Sequence, residues 1–286
     1  MKLDEMQVCA AETLKYFIEV MPDVPFKEND IVFEFAKKQD MAKRALEVCA
    51  IYCPEKIFTE TQLAELSESI AANALVGREK SVVLVRINPQ INKTDFRRVI
   101  VHELVHLFCA KSEMDGEHFI DIYGSGTTPE IEGMDKTYDG IIVAGYKVWT
   151  EFIAHYYAIK LIDKENLKFE KIASFVTELF HEVNVSDLIG SQKAFSMICS
   201  YWLNCMDFEE TLEVLSKAGT FLSSDEPHGE ETQKALFYCM DYIYDQIKKE
   251  KPWKITEDFI YGLGFKFSLF RLNNSQYLGY QLQAYL

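Results

Sequence analysis

The sequence lacks any apolar run close to the ~18 residues that a membrane-spanning helix needs. It also lacks an excess of positive charge. Thirty Lys and Arg stand against 45 Asp and Glu, a formal net charge of −15. Phosphate backbones and anionic membrane surfaces repel such a chain, so neither nucleic acid nor membrane is an expected partner. The seven cysteines are odd in number and show no C-x-x-C spacing, which argues against a disulfide framework and for reduced thiols. The first dozen residues carry Asp4, Glu5 and Glu12 and no unbroken apolar stretch, so no secretory signal is read there. A cytoplasmic protein is the expectation. Internal repeats and low-complexity tracts are missing, and Gly262-Leu263-Gly264 lacks the third glycine of a dinucleotide-binding loop.

What the chain does have is a globular composition: 286 residues, 48% hydrophobic, 13% aromatic and 26% charged. That balance excludes intrinsic disorder and gives enough length for one large domain or two modest ones. Met6, Ala10, Leu14, Phe17 and Ile18 recur at helical spacing before Pro22. Asp30 to Ala36 alternates as a short strand, and Met41 to Tyr52 reads as a helix. Thr59 and Gln62 have capping-box spacing, and the stripe Leu63, Leu66, Ile70, Ala74, Leu75 predicts a helix that runs to Gly77. The β-branched run Ser81 to Ile87 predicts a strand. Thr94 is a suitable N-cap for a helix reaching Cys109.

Between Glu113 and Lys147 the chain holds six of its thirteen glycines, the composition of a functional or mobile segment. Helical periodicity resumes from Val148 to Ile162 and dominates the remainder, in Leu167 to Phe180, Lys193 to Met206, Glu210 to Leu222 and Glu230 to Lys249. Phe237, Tyr238, Tyr242 and Tyr244 read as core residues there.

Within the Thr94 to Cys109 helix lies His102-Glu103-Leu104-Val105-His106, an H-E-x-x-H motif. Shuffling would produce the pattern in about one chain in eighty. Residues four apart share a helix face, so both histidines can aim a nitrogen at one zinc ion. Glu103 lies one residue further round, where it can serve as general base without ligating the metal. Cys109, on the same face, reads as a small apolar filler.

Strand, H-E-x-x-H helix, variable loop and second helix together resemble a zincin metallopeptidase over about Ser81 to Asp163. Cys109 and Ser112 stand where the metzincin branch has glycine and its third histidine, which excludes that branch. The gluzincin branch draws its third ligand from a downstream helix. Trp149-Thr150-Glu151-Phe152-Ile153-Ala154-His155 is similar to that helix, with a looser likeness to small ImmA/IrrE-like peptidases, and the resemblance implies Glu151 as ligand. Glu151, Ala154, His155 and Ala158 share one face, and the alanines permit close approach. Asp115, Glu117, His118, Asp121, Glu130 and Glu132 also follow the motif and carry donor atoms. The family places an Asp one turn beyond its ligand Glu, where this chain has His155. Oxyanion donors are sought among Tyr146, His155, Tyr156, Tyr157, His118 and Tyr138. The resemblance further implies that Ser81 to Ile87 is an edge strand that pairs with an extended peptide.

The expected fold is α+β and helix-dominated: a zincin-like core with a small sheet and the active-site helix within residues 1–163, then a helical C-terminal subdomain over 164–286. The expected function is zinc-dependent peptide-bond hydrolysis, with Zn2+ held by His102, His106 and Glu151, Glu103 as base, and a peptide or protein as substrate. Oligomeric state stays open. The alternative is a non-catalytic helical interaction protein carrying a decayed or coincidental motif; a third option is a zinc hydrolase acting on a non-peptide amide or ester.

Overall fold

A computed structural model describes residues 1–68, 70–112, 136–162, 188–205 and 227–284. The chain forms two compact units, Met1–Glu113 with Leu161–Asp163, and Met114–Lys160 with Lys164–Leu286. The architecture is α+β and helix-dominated, with eight α-helices among the described residues and one three-stranded mixed sheet. No helix among the described residues is long and apolar enough to cross a membrane.

The first unit contains α1 (Leu3–Val20), β1 (Ile31–Ala36), α2 (Met41–Tyr52), α3 (Glu60–Glu68), β2 (Ala72–Leu75), β3 (Ser81–Arg86) and α4 (Lys93–Lys111). α1 buries the predicted face, Met6, Ala10, Leu14 and Phe17, and Phe17 meets Phe108 of α4 edge-on at 6.4 Å. The capping box at Thr59 and Gln62 forms reciprocally, Thr59 N–H donating to Gln62 Oε1 at 3.0 Å and Gln62 N–H to Thr59 Oγ1 at 3.2 Å. The helix it opens stops at Glu68, short of the Gly77 predicted from its apolar stripe. Ala72–Leu75 instead pairs antiparallel with β3, Ala72 opposite Val85 and Leu75 opposite Val82. Pairing with β3 overrides the helical spacing there, an effect no local pattern carries.

The sheet order is β1-β3-β2, with β1 parallel to β3 from Ile31↔Ser81 to Ala36↔Arg86. β3 is therefore the central strand, not the expected edge. Ser81, Val82, Val83, Leu84 and Val85 are all buried, so both faces of the strand are covered. An unbroken apolar run, rather than an alternating one, is the mark of such a strand. Gly77 lies in the β2–β3 turn, where a Cβ would overlap the carbonyl oxygens of Lys80 and Tyr52.

The second unit contains α5 (Lys136–Ile162, whose last two residues belong to the first unit), α6 (Leu188–Cys205), α7 (Pro227–Ile247) and α8 (Glu257–Ala284). α5 begins well before the predicted Val148. Gly140 and Gly145 lie inside it, and Gly145 serves close packing: a Cβ there would overlap Ile260 O and lie 2.8 Å from Gly264 N, both backbone atoms of α8. Trp149, Phe152, Phe195, Trp202, Phe267 and Phe270 fill this unit's core. Tyr238, expected in the core, is 66% exposed, with Lys266 Nζ 5.9 Å from its ring. The predicted helices Leu167 to Phe180 and Glu210 to Leu222 lie outside the described residues, as does most of the glycine-rich stretch.

Candidate metal centre

α4 carries the first two donors. Its N-cap is Asn92 rather than the predicted Thr94: Asn92 Oδ1 accepts from Asp95 N–H at 2.8 Å. Below the cap, Phe96, Ile100, Leu104, Leu107 and Phe108 are buried and lock the helix into its unit. That leaves His102 and His106 half-buried, one turn apart on the same face.

The two Nε2 atoms lie 3.0 Å apart, with the rings nearly perpendicular at 83°. Two imidazole lone pairs repel at that distance unless a proton or metal ion lies between them. Tetrahedral zinc with nitrogen bonds of ~2.0 to 2.1 Å holds two such atoms about 3.4 Å apart. A small ring rotation separates one arrangement from the other.

The third donor comes from α5. One nitrogen from each histidine and a carboxylate oxygen of Glu151 all lie within 4.8 Å of one another, and this group could hold a metal ion. Among the described residues it is the group of His, Cys, Asp and Glu with that property. The donor set is two neutral nitrogens and one carboxylate, with no thiolate. It suits a divalent ion that keeps a fourth position open, as catalytic rather than structural zinc does. Glu103 is 7% exposed and lies about 100° round α4 from His102.

His155, one turn beyond Glu151, brings its Nε2 to 3.9 Å from Glu151 Oε2. By helical angle it is the described oxyanion candidate on Glu151's face. Tyr146, Tyr156 and Tyr157 lie about 120° to 140° away around α5. Tyr156 is committed elsewhere, stacked on Phe152 at 5.6 Å, and burial raises its hydroxyl pKa. His118 and the alternative ligands Asp115, Glu117, Asp121, Glu130 and Glu132 lie outside the described residues, as does the side chain of Tyr138. Cys109 is buried, in keeping with a filler role.

No known protein family, curated protein or solved structure matches this chain.

Buried polar side chains of α6, which the sequence pattern does not single out, bond the backbone of α5. Ser196 Oγ of α6 donates to Val148 O at 2.9 Å, Ser200 Oγ to Phe152 O at 3.0 Å and Asn204 Nδ2 to Tyr156 O at 3.1 Å. Polar residues at i, i+4 and i+8 on a buried helix face were the available signal.

Proposed function

We propose that the chain is a zinc-dependent peptidase whose metal ligands are His102, His106 and Glu151. The observation that carries this reading is the convergence of two imidazole nitrogens and a carboxylate from separate segments. The H-E-x-x-H pattern, its resemblance to the zincins and the single turn between the two histidines support it. A zinc ion held by these three residues would supply Lewis acidity, lowering the pKa of a water toward ~7 and polarising the scissile carbonyl.

The chain's own residues do the rest. Glu103 accepts the proton of the attacking water and returns it to the leaving amine, completing hydrolysis without net proton change. Its burial shields the carboxylate from competing bulk water. His155, one turn beyond Glu151, would donate toward developing negative charge. An extended peptide would pair along β1 or β2, the two outer strands of the sheet, instead of along β3.

The test is hydrolysis of a mixed peptide library by purified zinc-loaded protein, read by mass spectrometry. Cleavage that vanishes with Glu103→Gln while bound zinc persists supports the assignment. A metal-free protein whose stability ignores chelators returns the chain to the interaction-protein reading.

A further inference from the structure

We propose that Ser196, Ser200 and Asn204 are positioning residues for the metal centre: they key α6 to α5 in one axial register and so set where Glu151 presents its carboxylate. The proposal rests on the reading of Glu151 as a ligand.

The three rungs share one offset. Ser196, Ser200 and Asn204 reach the carbonyls of residues 148, 152 and 156, each 48 positions earlier, so the two helices run parallel and in step. Glu151 lies between the first two rungs along α5, about 100° round from the line they form. The rungs therefore flank the ligand along the axis without occupying its face.

Satisfying buried polar atoms does not require this arrangement. Each side chain also reaches the carbonyl four residues back in its own helix, Ser196 to Gln192 O at 2.8 Å, Ser200 to Ser196 O at 2.7 Å and Asn204 to Ser200 O at 2.8 Å; each serine shares its one hydroxyl proton between its two acceptors, whereas the Asn204 amide has a proton for each. Those bonds would meet the polar requirement by themselves. Packing alone would be served better by alanine, the stronger helix former, with no hydroxyl to desolvate. All three residues are nevertheless buried. What the rungs add is direction. Apolar contacts tolerate small axial slides, whereas a shift of even 1 Å strains all three hydrogen bonds together. A metal ligand needs that tolerance, because bond lengths within ~0.2 Å separate coordination from its absence.

The test uses the full chain loaded with Co2+, whose visible absorption reports coordination geometry, alongside zinc affinity measured by competition with a chromogenic chelator. In the Ser196→Ala/Ser200→Ala variant the cobalt spectrum changes and zinc binds about tenfold more weakly, the lower end of the range for residues that orient ligands. Ser268→Ala is the matched control, because Ser268 Oγ bonds Gly264 O of its own helix at 2.8 Å; it leaves spectrum and affinity as in wild type. Should the double variant not fold, Asn204→Ala at the less buried end of the ladder gives the same reading. Wild-type spectra and affinities in the ladder variants overturn the proposal. Cobalt binding that is absent from wild type, or indifferent to His102→Ala, overturns the site assignment itself and this proposal with it.

Discussion

Gly140 and Gly145 both lie in α5, five residues apart, and the same substitution should act on them with opposite sign. At Gly140 an added Cβ meets no atom within 4 Å. Alanine there gains only the helix-propensity difference, a stabilisation of about 0.5 to 1 kcal/mol. At Gly145 the added Cβ overlaps Ile260 O and lies 2.8 Å from Gly264 N, and neither backbone atom can swing aside. The α5–α8 crossing must open by about 1 Å, an overpacking cost of ~1 to 3 kcal/mol or more that outweighs the propensity gain. Gly264→Ala presses on the same crossing from α8, where its Cβ lies 2.8 Å from Gly145 N. The two variants combined should therefore cost less than their sum, since one separation relieves both clashes. Urea denaturation followed by tryptophan fluorescence is the assay. All three tryptophans, Trp149, Trp202 and Trp253, are buried in the second unit, so the signal reports that unit. Equal stabilisation by Gly140→Ala and Gly145→Ala would refute the close crossing.

Glu103→Gln should retain metal affinity and unfolding midpoint while lowering peptide turnover by about 10² to 10⁴-fold, as measured by single-turnover kinetics. Phe108→Ala removes a fully buried ring that packs on Phe17 and should cost about 3 to 5 kcal/mol in chemical denaturation; a loss below 1 kcal/mol would contradict the α1–α4 core. Burial, reinforced by neighbouring Cys49, pushes the Cys53 thiol up to about 12, and burial takes Cys239 to about 12 as well. Unfolded thiols ionise near pH 9, so the native state holds more protons between pH 9 and 12. Stability from these groups is whole below pH 9 and lost progressively as pH rises toward 12. Denaturation at pH 8 and 10.5 should show that decline, and Cys53→Ala should make it shallower without abolishing it. Disulfide-exchange reagents at pH 8 should leave both thiols unmodified until the protein is unfolded.

α1, α2, α4 and the sheet's outer strand β1 were legible because their signals are local, whereas α8 (Glu257–Ala284) is not among the helices that the pattern predicts. α1 and α2 follow apolar periodicity, and Thr59 and Gln62 announce α3. β2 was not legible, because Ala72–Leu75 has no strand pattern of its own and is extended through its pairing with β3. The centrality of β3 was written in its unbroken Val82 to Val85 run, whereas the zincin resemblance implies an edge. Gly140 and Gly145 belong to a stretch whose composition suits a loop, although a glycine that admits a neighbouring helix has the same letter as one that turns the chain. The motif on α4 was legible because H-E-x-x-H matches helix geometry by itself. The Glu151 expectation needed the family resemblance to single it out from the acidic residues downstream. The Ser196, Ser200 and Asn204 ladder escaped because buried serines look like ordinary small residues until their acceptors are seen.

Elemental analysis of the purified protein tests the central claim most directly. The account predicts one equivalent of zinc per chain in the wild type, retained in Glu103→Gln and lost in His102→Ala, with Glu151→Ala weakening binding by at least tenfold. A folded wild-type protein that stays metal-free after incubation with excess zinc, or a Glu151→Ala variant that binds zinc as tightly as wild type, would contradict it.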